Sequence, residues 1–127
     1  MKLRVARHTH SLEIITKFYH EILGLEVIGE FENHDGYDGV FLGKPENDWE
    51  LEFTTSDRKS RSQYDEDDLL VFYLSDDEIQ NLKKKLYSEN IQLESAVNPY
   101  WNKMGILFRD PAGNRIAIAR MDKRPIA

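Results

Sequence analysis

Apolar residues recur along this chain in two rhythms, at every second position in short runs and at helical spacing in two longer ones. Leu3 to His8 reads as a first strand, and Ser11 is placed to cap a helix, with Glu13 near the positive end of its dipole. Leu12, Ile15, Tyr19, Ile22 and Leu23 share one face of that helix, and Gly24 supplies its stop. Leu25 to Phe31 predicts a strand, Asn33-His34-Asp35-Gly36 a turn, and Gly39 to Leu42 another short strand. After the turn residues Gly43 to Asp48, the alternation of Trp49 to Thr55 predicts one more.

The order then repeats. Leu69 to Leu74 reads as a strand, and Ser75 and Glu78 have capping-box spacing. Ile79, Leu82 and Leu86, with Tyr87 as a further candidate, form the apolar face of a second helix that carries Lys83, Lys84 and Lys85 toward its negative end. Ile91 to Val97 and Met104 to Phe108 read as strands, with Asn98-Pro99-Tyr100-Trp101 as a loop between them. Asp110 to Gly113 turns the chain into a closing strand, Arg115 to Arg120. The two halves share an order of elements, not residue identities.

A length of 127 residues fits one domain. It divides into a first module at 1–57, a charged linker at 58–67, a second module at 68–121 and a short tail at 122–127. No apolar stretch approaches the roughly 20 residues of a membrane span, and the first residues lack the apolar core of a secretory signal. Cysteine is absent, which removes disulfides, thiolate metal sites and cysteine nucleophiles together. These features predict a cytoplasmic protein. The net charge of −6 argues against nucleic acid as a partner, because displacing counterions from phosphates takes clustered cations. The one dense basic cluster before the tail, Arg58-Lys59-Ser60-Arg61, is followed by the acids Asp65 to Asp68.

Two signatures stand at opposite ends of the chain: Phe18-Tyr19 with Leu23-Gly24-Leu25, and Asp110-Pro111-Ala112-Gly113-Asn114 before the last strand. With the order of elements, they give a chain that resembles the vicinal oxygen chelate superfamily over Leu3 to about Arg120. That superfamily includes glyoxalase I, extradiol dioxygenases, bleomycin-resistance proteins and fosfomycin-modifying enzymes. The resemblance implies an α+β fold of two βαβββ modules, forming a curved mixed sheet with an open cup and helices on the convex side. Ligands of such proteins bind in the cup, often at a dimer interface.

Strand alternation on that fold turns Leu51 and Phe53 toward the helix and Glu50, Glu52 and Thr54 toward the cup. It likewise turns Arg4, Ala6, His8, Leu69, Val71, Tyr73, Arg115, Ala117 and Ala119 toward the cup. Metal-dependent members hold a divalent ion with His and Glu from the first and last strands of each module. By the resemblance those positions fall here on Arg4, Glu52, Leu69 and Ala117. A guanidinium stays protonated and has no lone pair to donate, and leucine and alanine coordinate nothing. A relocated set of His8, His10 and Glu52 is a weaker alternative; His20 and His34 fall on a helix and a turn.

The expected occupant of the vacated place is an ion pair between Arg4 and Glu52, which either orients a polar ligand group or fills space. Tyr73, Tyr100 and Trp101 are candidate aromatic walls, with Trp101 alternatively packing in the core or a dimer interface. The expected function is metal-free binding of a small organic molecule, as in bleomycin-resistance proteins, by a homodimer. The expected ligand-binding residues are Arg4, His8, Glu52, Tyr73, Tyr100 and Trp101, with no cofactor. The alternative is a metal-dependent lyase or oxygenase of the glyoxalase or dioxygenase kind, holding Zn, Ni, Mn or Fe in an altered site. Metal-free acid–base catalysis with Glu52 as base, assisted by His8 or Tyr73, is a further reading.

Overall fold

Helix α1 (Leu12–Leu23) begins where Ser11 accepts a hydrogen bond from the Ile14 N–H at 3.3 Å, and ends where Gly24 turns left-handed at φ 69°. Its face of Ile15, Phe18, Tyr19 and Ile22 is buried, with the Tyr19 ring 5.3 Å from that of Phe53. Burying a side chain of this size contributes about 1.5–3 kcal/mol, so packing rather than intrinsic propensity holds the helix.

The computed structural model describes residues 1–61 and 64–121, in two compact units, Met1–Ser62 and Gln63–Ala127. The division falls inside the charged stretch at 58–67, whose residues 62–63 lie outside the described residues, as does the tail at 122–127.

In the first unit α1 covers a sheet of four strands in the order β1-β4-β3-β2. These are β1 (Leu3–His8), β2 (Glu26–His34), β3 (Tyr37–Gly43) and β4 (Trp49–Thr55). β1 runs parallel to β4, while β3 is antiparallel to both β4 and β2. β2 and β3 run further toward each other than the alternation predicts. They meet at a tight turn in which Asp35 and Gly36 both have positive φ, as a hairpin matched to strand twist requires. Val40, Leu42, Leu51 and Phe53 are buried beneath α1, and the remaining face of the sheet carries the polar side chains.

The second unit has a sheet in the order β5-β7-β6, from β5 (Leu70–Leu74), β6 (Gly105–Arg109) and β7 (Arg115–Arg120). β5 is parallel and β6 antiparallel to β7, which repeats the relation of β1 and β3 to β4. Helix α2 (Asp76–Ser88) carries the capping box, with Ser75 and Glu78 each accepting the other's backbone N–H. Ile79, Leu82 and Leu86 are its buried residues, whereas Tyr87 is 87% exposed and lies off that face.

Three expectations differ here. Ile91 to Val97 forms no strand: one bridge joins Glu94 to Leu107, and Leu93 and Val97 face solvent. The expected loop at Asn98 to Trp101 is instead the start of a short helix, α3 (Pro99–Met104), capped by Asn98, whose Oδ1 accepts from the Tyr100 N–H at 3.1 Å. Ala117 and Ala119, expected to face an open cup, are as buried as Ile116 and Ile118, and α2 and α3 both pack against their strand. With these adjustments the fold is the expected α+β one: two mixed sheets and, among the described residues, three helices.

Candidate functional site

The face of the first sheet turned away from α1 carries Arg4, His8, Glu50 and Glu52. Parallel register sets Arg4 opposite Glu50, Ala6 opposite Glu52 and His8 opposite Thr54. On the other side of β4, Gly43, Phe41 and Gly39 stand opposite the same three residues. Arg4, His8 and Glu52 therefore share one face, as alternation predicts.

Glu50 is the buried centre of this group, its side chain 4% exposed. Lys2 makes an ion pair with Glu50 Oε1, and Arg4 approaches Oε2 at 3.5 Å. Arg4 also stands 3.9 Å from Glu52, so the expected pair exists, but as one arm of a network of four charges. The hydrogen bond from Lys2, helped by the charges of Lys2 and Arg4, holds the Glu50 carboxyl below its ordinary value against the opposing effect of burial. The formal charges of Lys2, Arg4, Glu50 and Glu52 cancel, which is how a carboxylate is kept ionised in a partly dry place.

Arg4 is also held from a second direction. Its guanidinium carbon lies 4.5 Å from the centre of the Phe41 ring, and the Phe41 and Phe31 rings are 5.9 Å apart. Lys2, Glu50, Phe41 and Phe31 were not among the predicted site residues. Alternation puts Glu50 on the right face, but its pairing with Arg4 depends on the parallel register between β1 and β4, which sequence does not display.

His8 sits farther along the same face and is engaged at both nitrogens. Nε2 donates to the Arg58 carbonyl at 3.1 Å, and Nδ1 accepts from the Thr54 hydroxyl at 3.0 Å. The Ser60 hydroxyl bonds the His8 carbonyl at 3.1 Å, so this histidine fastens the stretch after β4 to the end of β1. The remaining predicted residues lie in the second unit. Tyr73 is half-buried on β5, and Tyr100 and Trp101 meet edge to face on α3 at 4.9 Å.

Residues 3–54 match the YycE-like N-terminal domain and residues 67–120 the YycE-like C-terminal domain. The chain belongs to the YycE-like family. It is 42% identical to YycE of Bacillus subtilis (strain 168) over 117 residues, which cover 91% of this chain and 84% of that protein. The crystal structure of a B. subtilis YycE protein superposes with a TM-score of 0.85 at 40% identity, covering 99% of this chain and 92% of that one. Leishmania major glyoxalase I superposes at 0.78 with 20% identity, covering 96% and 87% of the two chains. The fosfomycin resistance protein FosX of Listeria monocytogenes does so at 0.68 with 12% identity, covering 92% and 88%. The fold is thus that of the vicinal oxygen chelate superfamily.

A divalent ion of the kind used elsewhere in the superfamily does not fit the residues present. Of the four inherited positions, only Glu52 has a donor; Arg4 is a cation stacked on Phe41, and Ala117 is 1% exposed. His8 has both ring nitrogens engaged, and His10 is exposed. Among the described residues no three His, Asp or Glu side chains come together in a metal-binding group. Among those residues, too, no helix is long and apolar enough to cross a membrane.

Proposed function

We propose that this YycE-like protein binds a small organic molecule on the polar face of its first sheet without the aid of a metal ion, as a homodimer in the cytoplasm. One observation carries the reading. At the inherited first-strand ligand position, Arg4 is fixed between Phe41 and two carboxylates, with its side chain still 48% exposed. A cation so placed repels a divalent ion and offers N–H donors to a ligand's oxygen. Glu52 supplies an acceptor beside it, and the half-buried Phe31 and Phe41 supply apolar surface. The bleomycin-resistance kind of binder is the superfamily member this chemistry suits best.

The test combines elemental analysis of the purified chain with a fragment screen by backbone-amide NMR after treatment with a chelator. Substoichiometric metal, together with fragments that shift the amides of Arg4, Phe41 and Glu52, is the expected result. A stoichiometric transition ion in contact with Glu52 overturns it in favour of the lyase or oxygenase reading. Size-exclusion chromatography with light scattering checks the dimer.

A further inference from the structure

The polar face of the first sheet contains two crossed phenylalanine–glycine pairs. β2 and β3 set Gly29 opposite Phe41 and Phe31 opposite Gly39. A Cβ on Gly39 would overlap the Phe31 ring, and one on Gly29 would come within 3.0 Å of the Phe41 ring. Neither glycine has a positive φ, so backbone conformation does not call for them. What calls for them is space: each glycine lets the ring opposite lie down across the strand instead of standing off the sheet. The pairs differ in tolerance, since the Gly29 contact is merely tight whereas the Gly39 contact admits no side chain unless Phe31 moves.

Arg4 completes this arrangement. Phe41 supports the guanidinium from one side, and Glu50 and Glu52 fix its edges at 3.5 and 3.9 Å. A guanidinium is itself a flat delocalised group that stacks on conjugated rings, which an ammonium cannot do. Arg4 is half exposed above Phe41, and the half-buried Phe31 ring stands 5.9 Å from Phe41, inclined to it by 44°. The charge of this group cancels, so affinity for a ligand must come from contact area and a few hydrogen bonds.

Building on the proposed binding face, we infer that its ligand is a planar, conjugated ring system bearing a hydrogen-bond-accepting oxygen. The ring stacks on the Arg4 guanidinium with the inclined Phe31 ring against its rim, and the oxygen takes a guanidinium N–H. Gly39 and Phe41 are positioning residues: the first sets the height of Phe31, and the second holds the plane of Arg4. The Phe31 ring lies 5.9 Å from the Phe41 ring beneath Arg4 and is inclined to it by 44°, so a fused bicycle lying on the guanidinium carries its second ring toward Phe31 where a single ring does not.

The probes are 2-naphthoate and its fully saturated analogue decahydro-2-naphthoate, equal in charge and close in outline, titrated calorimetrically against the full chain. The expected result is naphthoate bound about tenfold more tightly than the saturated acid, the size of effect an aromatic contact supplies. Arg4→Lys keeps the charge and removes the plane, and is expected to abolish that preference. Gly39→Ala is expected to weaken naphthoate to a similar degree and to move the Phe31 ring resonances, whereas the same change made in a Phe31→Ala chain is expected to leave the amides of the facing strand unmoved. Equal binding of the two acids, or an Arg4→Lys variant that keeps the preference, overturns the planar-ligand inference while leaving a small-molecule site intact. If neither acid binds while other fragments shift the Arg4 and Glu52 amides, the inference falls alone. If no organic fragment binds this face, it falls together with the proposed function.

Discussion

Asp110 and Asn114 are tied to each other at both backbone and side chain. The Asp110 N–H donates to the Asn114 carbonyl at 2.9 Å, and the Asp110 carboxylate accepts from the Asn114 N–H at 3.0 Å and its side-chain amide at 2.7 Å. The Ala112 N–H adds a further bond at 2.8 Å, and both residues are 4% exposed. One carboxylate thus closes the whole turn between β6 and β7, which explains why Asp-Pro-Ala-Gly-Asn marks that place in the sequence. Gly113, with φ 88°, supplies the left-handed step inside it.

Asp110→Ala leaves three donors without their acceptor in a buried turn. The expected loss is about 3 kcal/mol, since an orphaned buried donor costs on the order of 1–3 kcal/mol and part of the loop can turn to water. Urea denaturation measures it, and a loss under about 1 kcal/mol contradicts the account. Tyr64→Phe, which removes the 2.7 Å bond from the Tyr64 hydroxyl to Asn114 Oδ1, is expected to cost about 1 kcal/mol.

Glu50 predicts an acid dependence of stability. Its carboxyl is held below the ordinary 4.5, first by the Lys2 hydrogen bond and then by the Lys2 and Arg4 charges, with burial opposing. The unfolded chain therefore takes up this proton at higher pH than the folded one does. The stabilisation is complete above about pH 4.5 and is lost as the pH falls through the lowered folded value. Glu50→Gln is expected to be about 1 kcal/mol less stable than the natural chain near neutral pH, Lys2 being largely exposed and the pair screened. The two chains converge as the pH falls through the lowered folded value of Glu50. Thermal unfolding across that range checks it, and parallel curves contradict it.

At the second helix, Ser75→Ala removes the acceptor for the Glu78 N–H at 3.2 Å and is expected to cost about 1 kcal/mol. Glu78 is held below its ordinary carboxyl value first by its bond to the Ser75 backbone N–H, then by the Ser75 side chain. The capping contribution therefore also fades as the pH falls through that lowered value. A helix whose melting is unchanged by Ser75→Ala shows that the buried face of Ile79, Leu82 and Leu86 alone decides its stability.

What the sequence made legible follows from which interactions are local. β1, β4 and β7 and both long helices lie where alternation, caps and Gly24 predict them, because each is specified by neighbours within a few residues. The facing of Arg4, His8 and Glu52 was legible for the same reason. The bond network around Glu50 was not, since it needs the register of two strands far apart in the chain. Nor was the low aromatic floor, because Phe31 and Phe41 lie flat only through the glycines opposite them. The start of α3 did carry a local sign, Asn98 followed by Pro99 at the first helical position.

The missing strand at Ile91 to Val97 has a physical cause that predicts a measurable softness. Asn102 on α3 turns its side-chain amide to the backbone of Ala96, accepting its N–H at 2.8 Å and donating to its carbonyl at 3.0 Å. A side chain thus stands where a neighbouring strand would have paired, and Glu94 is fixed separately by the Arg109 guanidinium at 2.8 Å. With Leu93 and Val97 exposed, little apolar burial backs these few bonds. Asn102→Asp keeps the acceptor and loses the donor, while Asn102→Leu loses both. Amide exchange at Ala96 is expected to speed up modestly in the first and by about tenfold or more in the second, with the β7 amides unchanged. Acceleration spread equally over β7 indicates that Asn102 supports the whole unit rather than this one segment.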